Sequence, residues 1–340
     1  MEGHVNVYGD ITEQTAGKAE AILLERLQGL VTWERFISQD PLGKNKTRTK
    51  TWRRYNPFPD IVAPLAEGVT PPGQELTFTD YHATLEQWGG STVLTDVIQD
   101  THTDPILKEM FKLVGEQAAK TIEFTRQNTF QGGTNVYYAN GVASRAVVNS
   151  PATRGDFRKI SRQFARNNIE KISEIIKASR FISTQPIEAA YFGIGHTDTS
   201  SDLRGLTGFI PVADYANSSD AMKGEIGSFE DFRIILTSLA KSWEVSGLTG
   251  TTYLAYGATP AATTQCDVYP LCLFGQNFGA GVPLQGYQTV TPMVLNPNTP
   301  RGGDELGQRG SVGWKTYGAN ALLCQSALAR LEVAVTANPS

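Results

Sequence analysis

The residue types best suited to chemistry lie mostly in the second half of the chain, and none of them completes a site. The segment Gly307-Gln-Arg-Gly310-Ser-Val-Gly313-Trp314-Lys315-Thr316 ends somewhat like a phosphate-binding loop. In such a loop the lysine directly follows the last glycine, so backbone N–H groups and the ammonium surround one phosphate. Here Trp314 stands between Gly313 and Lys315, and no backbone cradle is expected. Gly193-Ile-Gly195 lacks the third glycine of a dinucleotide fingerprint and reads as a strand end. His196, Asp198 and Asp202 are metal-ligating types, but their spacing has no established ligand geometry. Short polar residues are ordinary turn material, so a turn is expected there. Cys266, Cys272 and Cys324 match no zinc spacing and are too few for a disulfide framework, which fits synthesis in a reducing compartment. No Gly-x-Ser-x-Gly elbow occurs, and no cysteine sits in a recognisable catalytic setting with His4, His82, His102 or His196. The sequence therefore predicts no catalytic residue, no metal and no cofactor.

The elements that would hold a site are clearer. Ala16, Ala19, Leu23, Leu24, Leu27 and Leu30 recur at three- and four-residue steps, predicting a short amphipathic helix over 12–30. A polar, basic stretch follows from Ser38 to Arg54, in character either an extended arm or a solvated loop. Residues 48–56 and 75–98 read as strands of a long hairpin whose tip carries Pro57, Pro59, Pro64, Pro71, Pro72 and Gly73. A connection of that length more often binds something than fills space, and a second copy of the chain is one partner it would suit. Asp104 as N-cap and Pro105 at the first position open a helix. Its apolar stripe Ile106, Leu107, Met110, Phe111, Val114, Ala118 and Ile122 runs out near Phe130, a length of about 39 Å at 1.5 Å per residue. Gly115 sits in its middle, either for close approach of a neighbouring backbone or as a bend. A second helix is predicted from Asp156 to about Ala178, with Phe157, Ile160, Phe164, Ile172 and Ile176 inward. Its outward Arg158, Arg162 and Arg166 suit either phosphate or plain solvent. The apolar stretches 187–195, 232–239, 266–274, 282–295 and 321–336 complete an α+β body with mixed strands.

Bulk properties narrow the function classes. A chain of 340 residues with 40% hydrophobic residues is long enough for a full core. Its net charge of −4 argues against general, tight nucleic-acid binding. The polar, acidic start and the lack of an apolar run of about 20 residues predict a soluble, unexported protein with no membrane partner.

Several short motifs occur in one order. They are Pro64-Leu-Ala-Glu67-Gly68-Val-Thr-Pro71-Pro72, Thr84-Leu-Glu-Gln-Trp88-Gly89-Gly90, Leu94-Thr-Asp96, Asp104-Pro-Ile-Leu107 and Gly115-Glu-Gln-Ala118. Gly224-Glu225-Ile226-Gly227, Asp267-Val-Tyr-Pro270 with Phe274-Gly275, and Gly307 through Lys315 follow. In order and spacing, over roughly residues 25 to 335, they resemble the N4-like family of tailed-phage major capsid proteins. One departure is Thr197, where the family often has proline between histidine and aspartate.

The resemblance implies an α+β coat fold of the Hong Kong 97 type. Residues 1–50 would form the N-terminal arm, 51–100 the extended hairpin loop, and 101–150 a peripheral domain with the long spine helix. Residues 151–265 would form an axial domain, and 266–340 strands returning to the peripheral domain. It implies a structural subunit of an icosahedral shell, built as hexamers and pentamers of itself and located in the virion after assembly in the host cytoplasm. A portal, and scaffolding or cement proteins, would be further partners. Packaged double-stranded DNA would be touched only weakly, because an acidic wall does not cling to it. Arg53, Arg54, Glu67, Pro71, Pro72 and Trp88 are the residues expected at subunit interfaces, and Gly115 is the candidate bend of the spine helix. The alternatives are an encapsulin-like compartment shell and, more remotely, a soluble α+β enzyme.

Overall fold

In the computed structural model, residues 31–338 are described except 63, 65–67, 69, 71–72, 97–105, 178–182, 216–220, 251, 256–263, 286–289, 299 and 301. The helix expected over 12–30 and the cap residues Asp104 and Pro105 lie outside the described residues.

The apolar stripe does build one long helix, α1, from Ile106 to Gln131. Phe111, Val114, Ala118, Ala119 and Ile122 are buried on one side, against Val31, Val290, Val312 and Trp314. Gly115 is buried on this same side, and the helix runs through it without interruption. At the far end Gly132 N donates to Asn128 O and Gly133 N to Phe130 O, which closes the last turn.

The surface that α1 covers is a five-stranded sheet organised by one long strand, β14 (Arg309–Leu322). Along it run β4 (Glu86–Thr95), β13 (Thr291–Leu295) and β12 (Gly279–Pro283), all antiparallel, and β1 (Ser38–Gln39) adds a parallel edge to β12. The segment that resembled a phosphate loop is thus mostly strand. Trp314 is buried and its indole Nε1 donates to Gln117 Oε1 of α1 at 3.2 Å. A Cβ on Gly90 would stand 2.7 Å from that same Gln117 Oε1, so the Gln117 amide lies over the strand in this position because Gly90 has no side chain.

An eight-stranded sheet holds the larger core, in the order β5-β15-β11-β7-β10-β9-β8 with β6 paired to β7. The strands are β5 (Val136–Tyr138), β6 (Ile172–Lys177), β7 (Ser183–His196), β8 (Ile210–Pro211), β9 (Glu225–Phe229), β10 (Phe232–Thr237), β11 (Tyr269–Phe274) and β15 (Leu328–Val333). Every residue of β11 is buried, as a strand covered on both faces requires. One face meets α2 (Arg154–Arg166), whose Phe157, Ile160 and Phe164 pack with Tyr191, Phe229 and Phe232. The other face meets Trp33, Phe36, Ile37, Phe130 and Phe278. A short helix, α3 (Ser200–Arg204), joins the α2 side through Leu203.

The second predicted helix needs correcting at both ends. It starts at Arg154 under a capping box between Thr153 and Asp156, and it stops at Arg166, with Asn168 at a φ of 51° just beyond. Residues 172–177 form β6, antiparallel to β7. Ile172 and Ile176 satisfy a helical spacing by position alone, but the run Ile-Ser-Glu-Ile-Ile-Lys is rich in β-branched residues, and β7 offers it a ladder. Two predicted strand stretches divide as well. Residues 282–295 separate into the end of β12 and β13, and 321–336 hold the end of β14 and then β15. Within 266–340, β11 and β15 join the eight-stranded sheet and β12, β13 and β14 the five-stranded one.

Candidate assembly surfaces

The hairpin is built by β2 (Thr49–Tyr55) and β3 (Phe78–Thr84), antiparallel with Tyr55 opposite Phe78 and Thr49 opposite Thr84. The two-residue period of a strand sorts β2 into two sets. Lys50, Trp52 and Arg54 reach the body. Lys50 Nζ and Trp52 Nε1 grip the two oxygens of Asp40 at 2.7 and 2.8 Å, and Arg54 Nη1 donates to Cys324 Sγ at 3.3 Å. Thr51, Arg53 and Tyr55 pair instead across the hairpin. Arg53 makes a two-pronged contact with Asp80 at 2.8 and 3.0 Å, and its guanidinium lies 3.9 Å from the Phe78 ring centre. Hydrogen bonding to Arg53 holds the Asp80 carboxyl below its ordinary range. Burial would raise the Cys324 thiol, but hydrogen bonds with Ser326 and Arg54 outweigh it, so its pKa falls below the usual value.

Beyond this anchored base the hairpin exposes apolar surface. Val62 is 91% exposed and Ile61 76%, and Tyr55, Phe58, Leu76 and Phe78 are also exposed. Isolated exposed apolar residues are ordinary, but six on one projecting segment leave a surface that a lone subunit does not cover.

The sequence-predicted residues fall in three places. Arg53 and Arg54 sit on opposite faces of β2, one paired within the hairpin and one holding it to the body. Trp88 lies on β4, opposite Thr316, and remains partly exposed. Glu67, Pro71 and Pro72 lie outside the described residues, and Gly115 is inside α1, away from any exposed surface.

His196, Asp198 and Asp202, the metal-ligating types at 196–202, also have definite places. His196 Nδ1 accepts from Asp198 N at 3.2 Å, and Thr199 Oγ1 donates to His196 O, so a tight turn forms at Thr197. Asp198 Oδ2 accepts from Tyr269 Oη and Asp202 Oδ2 from Thr336 N, which directs the two carboxylates to different partners. Among the described residues no three His, Cys, Asp or Glu side chains gather in a metal-holding group, and no helix is long and apolar enough to cross a membrane.

Sequence reasoning missed the buried charges. Glu123 of α1 is 1% exposed, and its Oε1 accepts from the backbone N–H of Thr32 at 3.0 Å and of Trp33 at 3.4 Å. It thereby satisfies the start of the 3₁₀ turn Trp33–Arg35, for which Thr32 provides no side-chain cap. Burial pushes its pKa up to about 7, against the Arg126 charge and those backbone bonds. Glu332 is fully buried between Arg145 and Arg330, and buried Arg233 binds both oxygens of Glu225 at 2.7 and 2.8 Å. For Glu123 a signal existed: it follows Ala119 by one turn, next to the apolar stripe, where a charge needs a partner.

No protein-family model matches the chain, and no curated protein matches it in sequence. Solved structures do match over nearly the whole length. The capsid of Ralstonia phage GP4 aligns with a TM-score of 0.63 at 11% identity, covering 92% of this chain and 93% of that one. The chain has the Hong Kong 97-type coat fold. The capsid of cyanophage P-SCSP1u aligns at 0.58 with 11% identity over 90% and 89%, and the cyanophage Pam1 capsid at 0.58 with 10% identity over 92% and 93%. At such identities the likeness is one of fold.

Proposed function

We propose that this chain is the major capsid protein of a tailed phage, self-assembling as hexamers and pentamers into the icosahedral head that encloses double-stranded DNA. The observation that carries the reading is the anchored hairpin of a coat fold with its apolar far end exposed, because such a surface is stable in water only once a neighbour covers it. The role is structural rather than catalytic. The ordered motifs from Pro64 to Lys315 support the finer placement among N4-like coat proteins. On this reading 1–50 is the arm, 51–100 the extended loop, 101–150 the peripheral domain carrying α1, 151–265 the axial domain, and 266–340 strands that return to the peripheral domain. Arg53, Arg54, Glu67, Pro71, Pro72 and Trp88 are then interface residues, with portal, scaffolding and cement proteins as further partners in the virion.

Electron microscopy of the purified chain, with scaffold supplied, tests this directly. Hollow shells or capsomer rings of uniform curvature are expected. A stable monomer at high concentration refutes the reading, and shells that carry enzyme cargo in place of DNA would turn it to a compartment protein.

A further inference from the structure

The outer face of α2 gathers positive charge on one side of a single helix. Arg154, Arg158, Lys159, Arg162 and Arg166 are all exposed, while the helix's one acid, Asp156, is buried in its capping box. At about 100° per residue the five cations fall within an arc of about 140°, opposite Phe157, Ile160 and Phe164. Five of the chain's 30 lysines and arginines thus lie on a helix of 13 residues with one carboxylate, while the other 25 are outnumbered by the other 33 of the chain's 34 carboxylates. Neutralisation is partial. Arg154 and Arg158 share the single carboxylate of Glu230, at 2.5 and 3.0 Å. Lys159, Arg162 and Arg166 make no ion pair among the described residues, and the nearby Asp231 is taken by Lys171 and Ser161.

The same arc lacks what a protein partner would need. Between the cations stand only Gly155 and Ala165, so there is no aromatic or bulky apolar anchor for the centre of an interface. Small residues leave the row of charges flat, and Arg158, Arg162 and Arg166 follow one another at about 6 Å along the axis. A duplex presents one negative charge per about 1.7 Å of its axis, so a row of this kind meets phosphates in any register.

We propose that the outer face of α2 is a sequence-independent contact for the phosphate backbone of double-stranded DNA. It rests on the capsid reading only for where the DNA comes from. With three cations that no carboxylate among the described residues neutralises, Lys159 lying 5.5 Å from the Tyr137 ring centre, on an otherwise acidic subunit, each contact is weak and salt-labile, which holds the outer turns of a packed duplex without arresting its movement.

The test is fluorescence anisotropy of a short labelled duplex with the full-length chain, at concentrations below assembly, from low to moderate salt. The variants are K159Q/R162Q/R166Q and, elsewhere on the surface, K46Q/K120Q/K223Q. Each phosphate contact contributes about −0.9 to the slope of log K against log salt, so the α2 variant is expected to lose about 2 to 3 from that slope. K159R/R162K/R166K, which keeps every charge, is expected to bind like the unaltered chain and guards against misfolding. Equal losses in both glutamine variants would reduce the effect to net charge and overturn the proposal. So would unchanged DNA binding in the α2 variant, and altered shell assembly alongside it would mean that the face meets another copy. Failure of the capsid reading shows separately, as absence of shells in the microscope with the slope intact.

Discussion

Replacing Glu123 by glutamine should make the subunit's stability less dependent on pH, in a direction fixed by the burial of this side chain. The folded pKa is about 7, against an ordinary value of 4.5. Between those values the folded chain keeps a proton that the unfolded chain has released. Stability contributed by this group is therefore complete below about pH 4.5, falls as pH rises, and is lost by about pH 7. At 1.36 kcal/mol per pKa unit, the full swing is about 3 kcal/mol. Glutamine carries no charge at any pH, and its carbonyl still accepts from Thr32 N and Trp33 N. Its amide nitrogen takes the place of Oε2, which has no partner, at a cost of about 1–3 kcal/mol that does not vary with pH. Melting temperatures of E123Q and the unaltered chain, measured in parallel from pH 4.5 to 8 below assembly concentration, isolate the effect because every other carboxylate cancels. The difference should shift steadily in favour of E123Q up to about pH 7 and then level off. A constant difference across the range would mean that Glu123 ionises as an ordinary capping carboxylate, and the reasoning from burial would be wrong.

Exchanging residues 60–73 for a short Gly-Ser turn should leave a folded subunit that does not close shells, since Ile61 and Val62, the two most exposed of the hairpin's six apolar residues, are lost while Trp52, Ala83 and Leu85 keep the base packed; normal particles in the microscope would refute its role. Gly115→Ala is expected to lower stability by about 1–3 kcal/mol, because the methyl enters a buried helix face. A more stable variant whose shells expand slowly would instead make Gly115 a bend. Glu332→Ala leaves Arg145 and Arg330 facing an empty buried position and should cost about 3–5 kcal/mol in chemical denaturation. A loss under 1 kcal/mol would show that water repairs the site.

By itself the sequence determined what local physics decides. An apolar stripe sustained from Ile106 to Phe130 specifies a long helix whatever it packs against, and the alternating Thr-Lys-Thr-Trp-Arg-Arg-Tyr specifies the strand β2. The turn at His196 and the strand character around Gly193 were legible for the same reason, because each depends on residues a few positions apart. The tertiary structure decided everything that depends on distant partners. Ile172 to Lys177 fits either period, and only pairing with β7 makes it a strand. Trp314 reads as the flaw in a phosphate loop until Gln117, 197 residues away, shows it to be the joint between helix and sheet. Arg53 and Arg54 are adjacent and alike in sequence, yet the pleat sends one to Asp80 and the other to Cys324. The place of Glu123 beside the apolar stripe shows that its charge needs a partner, but its raised pKa appears only in the fold, because desolvation is a property of what surrounds a side chain.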